Sequence, residues 1–477
     1  MSFRKSNIFP LLLGSICSLY ANNKPNVVFI FADDLGYGEI EVLDPKYAKI
    51  PTPHLNRLAN EGQTYTDAHT SSSVCTPSRY SLLTGRYNWR TRLQTFVLGE
   101  GDAPLISPER KTLGHLFREQ DYHTAIFGKW HLGLTYQVPN NGNTKRKKLL
   151  DGFLLSKAPV GAKVMGGPIS RGFDSYYGFN HARSMSSVIE NDRIIEEINP
   201  VEMLPNLTSA ISEYIDQKAE DSKNGKPFFI YFPQNSPHSP LVPSKTFKGS
   251  TKLGDYADYV TQTDASVGVV LDALTRNRIR ENTLVIFSSD NGSFHLSSQT
   301  QKRAPTHRPS GPYRGKKGNL WEGGHRVPFI LSWPGVVKAG SKCDQLICLT
   351  DMMRTFSDFF SVDLPDNVAE DSISFLPSIY DHTISKVRKN IIHHDIKGYF
   401  SIRDGNWKLL LKKLGNSSVQ LYNLDKDIGE RTNMAGKRPD VLKKLTQLLK
   451  SQVEQGRSTP GLTQKNDVPV NIWKDRK

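Results

Sequence analysis

The sequence predicts an α/β fold: a large, mostly parallel sheet with helices on both faces, then a small antiparallel sheet with a packed helix. Three observations carry this. Short continuous apolar runs mark strands buried on both faces. Segments with helical periodicity separate those runs, the alternation that builds parallel sheets. From about residue 372 onward the pattern changes to short strand-like pieces broken by Asp, Gly and Asn, which suits hairpins.

The first run, Asn26 to Ala32, leads into Asp33-Asp34-Leu35-Gly36. The second, Thr124 to Phe127, leads into Gly128-Lys129-Trp130-His131. The third, Phe228 to Phe232, leads into Pro233 through His238, and the fourth, Leu284 to Ser289, into Asp290-Asn291-Gly292. Helical patterns cover Pro53 to Glu61, Leu113 to Gln120, Leu207 to Lys218 and Tyr256 to Arg276. Each apolar run is followed at once by ionisable or metal-binding side chains. Ligands of open α/β sheets sit outside the carboxyl ends of the strands, so these four tips are expected to meet at one edge.

The tail divides differently. Ile391 to Tyr399, Phe400 to Arg403, Trp407 to Lys412 and Val419 to Tyr422 read as strands of a small sheet. Arg438 to Gln455 reads as a helix, with Pro439 near its start and Gly456 just past its end. The expected organisation is a main domain over 22–371 and an α+β subdomain over 372–477. No internal repeats are evident.

An apolar fraction of 37% with 10% aromatics in 477 residues supports a sizeable core. The net charge of +15 speaks to partners: a polyanion, a nucleic acid or an acidic membrane surface. The one dense basic run, Lys145 to Lys148 after Asn140-Asn141-Gly142, reads as a solvated loop. No zinc-finger spacing or RNA-binding aromatic motif accompanies it, which sets nucleic acid aside. Arg4 and Lys5, the apolar stretch Ile8 to Tyr20 and Ala21 form a secretory signal over 1–21 and predict export, periplasmic or extracellular. The stretch falls short of the ~20 residues a membrane span needs, and no transmembrane anchor is expected. Leu19 stands where a small residue is usual, which leaves the cut site open; Gly14-Ser15-Ile16 is a poor lipoprotein context for Cys17.

Of four cysteines, Cys17 leaves with the signal. Cys343 and Cys348 could pair or be buried thiols. Cys75 opens the segment Cys75-Thr76-Pro77-Ser78-Arg79-Tyr80-Ser81-Leu82-Leu83-Thr84-Gly85-Arg86. Pro77 suits a first helical position and Gly85 a C-cap, which predicts a helix from about Pro77 to Thr84 with Cys75 at its N-terminus. There the backbone N–H groups favour negative charge. Such a cysteine is either a nucleophile of lowered pKa or a structural thiol. Asp33, Asp34, Asp290 and Asn291 offer only oxygen donors, a set for calcium or magnesium rather than zinc. Asn291-Gly292-Ser293 also matches a glycosylation triplet, which a buried metal ligand could not use.

The Cys75 segment resembles the C-x-P-S-R-x-x-L-L-T-G motif of type I sulfatases at every fixed position. The resemblance extends to Asp33-Asp34-Leu35-Gly36, to Tyr122 through Gly133, to Asp290-Asn291-Gly292, to Gly315-Lys316-Lys317-Gly318 with Trp321-Glu322-Gly323-Gly324, and to Leu421 through Asn433. Asp121 departs from it, standing where a glycine usually precedes the tyrosine.

The resemblance implies an alkaline phosphatase-like fold and a sulfuric ester hydrolase. It implies that Cys75 is converted to formylglycine by a formylglycine-generating or anaerobic maturing enzyme. It implies one calcium ion, magnesium being less suited, on Asp33, Asp34, residue 75, Asp290 and Asn291. The implied chemistry is attack on sulfur by a hydrated aldehyde activated by Asp290, with Arg79 orienting it. His238 protonates the leaving alcohol. His131 deprotonates the second hydroxyl, which ejects sulfate. Lys129 and Lys317 clamp the sulfate oxygens, Lys316 being the competitor for the second place. With a divalent ion these charges leave a net positive site, suited to an anionic ester. The expected partner is a sulfated polysaccharide or oligosaccharide, with His181, Arg183, His307 and His394 as candidate sugar contacts. The competing functions are a phosphodiesterase or phosphonate monoester hydrolase of the same superfamily, and a non-catalytic binder of sulfated glycans.

Overall fold

The computed structural model describes residues 24–138, 145–148, 154–294, 298–412 and 419–474. The signal segment, Cys17 and Asn140-Asn141-Gly142 lie outside them. A sheet of twelve strands organises the chain. At its centre five strands run parallel, in the order Thr283–Ser289, Asn26–Ala32, Phe228–Pro233, His123–Lys129, Ser175–Phe179. The first four carry the four apolar runs. Their carboxyl ends stand level, Ala32 opposite Ser289 and Phe31 opposite Pro233, so the next residues of each segment emerge at one edge.

The flanks are less parallel than predicted. Phe329–Ser332 pairs antiparallel with both Thr283–Ser289 and Gln63–His69. On the far side Ser187–Glu190, Arg193–Glu197, Lys163–Met165 and Thr135–Gln137 add antiparallel strands of three to five residues. Such short, partly exposed pieces lack the apolar runs that revealed the centre. The Lys145–Lys148 run also departs from its expected loop and pairs with Leu154–Lys157.

Alternation along the central strands feeds two cores. Val27, Phe29 and Phe31 face one layer, with Leu113, Leu116, Phe117 and Phe356. Val28, Ile30 and Ala32 face the other, where Leu55, Leu58, Leu207, Ile211, Val267 and Leu271 pack. The helices supplying that second layer are Pro53–Asn60, Pro200–Lys223 and Asp255–Arg276. Pro200–Lys223 starts well before the expected Leu207. The helix runs through Pro205 from an Asn199 cap. Asp121 has φ 63, the left-handed region that glycine enters freely and Asp at modest cost. The turn before Tyr122 therefore survives the departure from the family pattern.

Cys343 and Cys348 share the strand Ser341–Cys348 as buried free thiols, one in the main core and one beneath the C-terminal sheet. Among the described residues no helix is long and apolar enough to cross a membrane.

The C-terminal sheet runs Asn390–His394, Phe400–Asp404, Trp407–Leu410, Gln420–Asn423, antiparallel throughout. Leu445 and Leu449 of the helix Pro439–Glu454 pack on it together with Tyr87 and Trp89 of the main body. A buried polar seam joins the two parts. Lys408 reaches Glu322 at 2.9 Å and Glu430 at 2.9 Å, and Arg403 grips Asp67 through two bonds of 2.7 and 2.8 Å. His69, His325 and His393 meet here. His325 and His393 stack at 3.5 Å with 14° between rings, so their in-plane lone pairs do not converge on one ion. Lys408→Met would leave buried Glu430 without its cation and Glu322 with Arg326 alone, 3.1 Å away. We expect it to cost about 3–5 kcal/mol of stability, read as a lowered urea midpoint. An unchanged midpoint would show that the seam contributes nothing.

Candidate active site

Residue 75 opens the helix Cys75–Thr84, two positions earlier than Pro77 suggested, and Gly85 closes it at φ 67 with its N–H on the Ser81 carbonyl. One turn on, Arg79 lies on the same face. Its guanidinium donates to Asp290 Oδ2 from Nε at 3.1 Å and Nη2 at 2.7 Å, and from Nη1 to the Lys129 carbonyl at 3.2 Å. One buried arginine thereby ties two strand ends to the helix.

Lys129 Nζ sits 2.6 Å from Asp33 Oδ2, and Lys317 Nζ sits 2.7 Å from Asp34 Oδ1. Cys75 Sγ is 3.7 Å from Asp33 Oδ1. Both lysines approach the Phe294 ring, Lys316 at 5.8 Å and Lys317 at 5.9 Å, but only Lys317 lines the pocket. Burial opposes charge on Asp33, yet Lys129, His238, Arg79 and Lys317 hold it well below the usual carboxylate range. Burial and the neighbouring Asp33 push Asp290 up to about 7, despite Arg79. Burial pushes the Cys75 thiol up to about 12, more than Lys129 and Lys317 pull it down. Of the two readings of the bare cysteine, the thiolate nucleophile is the one this environment disfavours.

Two non-glycine residues at the strand tips, Asp34 (φ 68) and His131 (φ 53), are held in the left-handed region. Strain of this kind costs about 1–3 kcal/mol and concentrates at functional sites. His131 Nε2 lies 2.9 Å from the Leu98 carbonyl, which can only accept. Nε2 therefore carries the proton, and buried Nδ1, with no partner, keeps a free lone pair. Burial and Lys129 lower the affinity of His131 for a second proton well below the usual histidine range. His238 turns Nδ1 to the Ser239 carbonyl and Nε2 toward Asp34 Oδ2, 3.7 Å away.

The donors fit a divalent cation. Ligand atoms of Asp33, Asp34, Cys75 and His238 lie within 4.8 Å of one another. Fully buried Asn291 donates from Nδ2 to Asp34 Oδ1 at 2.7 Å, while its Oδ1 has no partner. Such an orphaned carbonyl oxygen calls for a donor or an ion. Burial also closes this side chain to a glycan. Gly292 explains a motif pairing: a Cβ there would come within 1.9 Å of the Gly323 carbonyl oxygen, so the two glycine-bearing segments interlock.

Asp34, Cys75, Lys129, His131, His238 and Lys317 floor a pocket of about 490 Å³. Of the four candidate sugar contacts, His181 and Arg183 line it, and His307 and His394 do not. His307 is buried against Glu39 at 3.0 Å. The His394 ring packs on Phe400, and its carbonyl accepts from Ser73 N at 3.1 Å. Both fell in loops near the site by sequence order, but their side chains serve the interior. Sequence reasoning missed Val97, Phe294 and Ile396 in the pocket wall. It also missed Glu100, which accepts from Tyr136 and Ser184 and so braces the turn bearing Arg183. No residue pattern signals a wall built from three separate loops.

Known proteins show the same arrangement of sequence and fold. The family model described as Sulfatase matches residues 25–362. A second, described as N-sulphoglucosamine sulphohydrolase, C-terminal, matches residues 315–459. An N-acetylgalactosamine-6-O-sulfatase of Bacteroides thetaiotaomicron is 30% identical over 481 residues, spanning 90% of this chain and 93% of that protein. Human arylsulfatase A is 28% identical, spanning 93% of this chain and 91% of its own. A solved structure tied to a glycosaminoglycan-metabolising locus of Bacteroides thetaiotaomicron superposes with a TM-score of 0.77 at 27% identity, covering 90% of this chain and 99% of that one. With its family model matched over most of its length and its fold shared with such relatives, the chain belongs to the sulfatase family.

Proposed function

We propose that this sulfatase removes sulfate from a sulfated glycan, using a formylglycine made from Cys75 and one calcium ion. The observation that carries the reading is the buried cluster in which Asp33, Asp34 and Asp290 are matched by Lys129, Lys317 and Arg79 around residue 75. Asp33, Asp34, Asp290 and Asn291 would hold the calcium, which supplies positive charge to the anionic ester. Their all-oxygen donor set favours it over softer metals. Magnesium demands tighter octahedral geometry than so crowded a set offers.

The chain's own residues divide the remaining work. Arg79 fixes Asp290, which takes the proton from the attacking hydroxyl of residue 75 as its oxygen bonds to sulfur. His238 Nε2 gives a proton to the alcohol oxygen as the S–O bond to it breaks. His131 Nδ1 takes the proton of the second hydroxyl, and sulfate departs as the aldehyde re-forms. Lys129 and Lys317 stabilise charge on the sulfate oxygens in a site shielded from water. Asp290 and Asn291 thus serve the metal, and Asp290 also the proton. Delivery of the aldehyde falls to a maturing enzyme acting during export.

The wall supports a sugar as leaving group. Phe294, Val97 and Ile396 offer apolar surface to a ring's C–H face, and His181 and Arg183 offer polar contacts beside it. The test compares an aryl sulfate, an aryl phosphodiester and a panel of defined sulfated oligosaccharides. Both esters carry one negative charge, so the pocket discriminates by having to fit the diester's second substituent; the sulfate is expected to exceed the phosphodiester in kcat/KM by about 100-fold. Faster phosphodiester turnover would sink the reading.

A further inference from the structure

A second pocket of about 410 Å³ is lined by the loop that leads into Lys317. Arg308, Arg314 and Arg431 line it, and no carboxylate does. Several surface arginines elsewhere pair off: Arg57 with Glu61, Arg276 with Asp216, Arg354 with Asp358, Arg438 with Asp440. Among the described residues the three in this pocket form no ion pair with an acidic side chain. The planes of two of them are instead set by aromatic neighbours. The Arg308 guanidinium lies 4.5 Å from the Tyr47 ring centre and that of Arg314 3.9 Å from Trp321. Arg314 also donates to the Glu430 carbonyl at 2.6 Å. Stacked guanidinium groups with donors to spare are preorganised for oxyanions.

The loop itself is held in place. Gly38 N donates to the Pro309 carbonyl at 2.8 Å, Gly323 N to the Arg314 carbonyl at 2.7 Å, and Ser310 Oγ to the Gly315 carbonyl at 3.0 Å. Arg314 precedes Lys317 by three residues, so their Cα atoms lie within about 11 Å. Lys316 stands between them, beside Phe294 at the mouth of the catalytic pocket. Arg314, Lys316 and Lys317 thus place three cationic residues within four positions of the loop between the two pockets.

We propose that Arg308, Arg314 and Arg431 form an anion subsite that holds a sulfate or carboxylate of the glycan chain outside the catalytic pocket. The subsite rests on the sulfated-glycan reading above and makes the enzyme one that grips a polyanionic chain rather than a single sugar. Nothing in the chemical step involves it.

The test uses the mature full-length protein, an Arg308→Ala/Arg431→Ala double variant and the matching double lysine variant. Both positions are exposed, so folding is not at stake. Affinity is measured by fluorescence anisotropy on labelled chondroitin sulfate and on single-stranded DNA of matched charge. Turnover is measured on an aryl sulfate. The alanine variant is expected to bind chondroitin sulfate about tenfold more weakly, as two exposed charge contacts warrant, and with a shallower salt dependence. Aryl sulfate turnover should be unchanged, and the lysine variant should recover part of the affinity. Unchanged glycan affinity overturns the subsite. So does DNA binding that equals glycan binding and falls in step with it, which marks a general polyanion surface. A wild type inert on aryl sulfates whose glycan affinity still drops on substitution overturns the hydrolytic reading and leaves the subsite standing.

Discussion

Cys75→Ala is expected to lower kcat on an aryl sulfate by about 10⁴-fold or more, the loss that removal of a covalent nucleophile produces. KM should change little, because Lys129, Lys317 and the apolar wall remain. The expectation comes from the environment of the side chain. Residue 75 is 2% exposed, at the start of a fully buried helix, between Asp33 and the two lysines. Burial pushes its thiol up to about 12, so unmodified sulfur stays protonated at neutral pH and attacks poorly. An oxygen nucleophile removes that difficulty. Mass spectrometry of the residue-75 peptide should find sulfur replaced by oxygen in the active enzyme. Cys75→Ser supplies the sharper contrast. Its single hydroxyl can form the bond to sulfur but has no second hydroxyl for His131 to deprotonate, so sulfate should remain on the peptide. Full turnover by Cys75→Ala, or an active enzyme whose peptide retains an intact thiol, would remove residue 75 from the chemistry.

The convergence at this site was legible because it depends on strand ends. Four apolar runs had to be buried on both faces, and the residues just past buried parallel strands emerge together at one edge of the sheet. Asp33, Lys129, His238 and Asp290 are brought together by that rule alone. Gly85 was legible as a cap for a similar reason, since φ 67 is open to glycine at little cost. The antiparallel flanks were not legible, because strands of three to five residues carry too few side chains to show a period. Nor were the main-chain partners. The Leu98 carbonyl fixes the tautomer of His131, yet nothing about a leucine in sequence announces its carbonyl. His307 and His394 failed for a third reason. Loop position near a site says little about side-chain direction, and both rings turn inward to Glu39 and Phe400.

Asp290→Asn tests the metal and the chemistry together, and its effect should be nearly as large as the loss of Cys75. The substitution keeps shape and removes one negative charge from a cluster where Asp33, Asp34 and Asp290 face each other in the buried interior. Calcium affinity should fall by at least about 100-fold, since outer-shell changes alone reach that size. Turnover should fall by about 10³-fold, the scale of losing one preorganised charged group at a transition state. Calorimetric titration of chelator-stripped protein reads the first effect without any turnover. The wild type gives a second readout, because calcium at about 100 times its Kd should stabilise the fold by about 2.7 kcal/mol. Chelation should therefore lower the melting midpoint, with calcium restoring it better than magnesium. Asn291→Ala separates the ion from the proton. It removes the orphaned Oδ1 but leaves the Arg79–Asp290 pair untouched. It should weaken calcium by about tenfold and lower turnover only as far as calcium is lost, so saturating calcium should rescue it. Asp290→Asn should not be rescued in this way, because the group that accepts the proton is gone. Full activity in chelator, with no calcium heat and no shift in melting, would leave the carboxylates balanced by Arg79, Lys129 and Lys317 alone and would remove the ion from the mechanism.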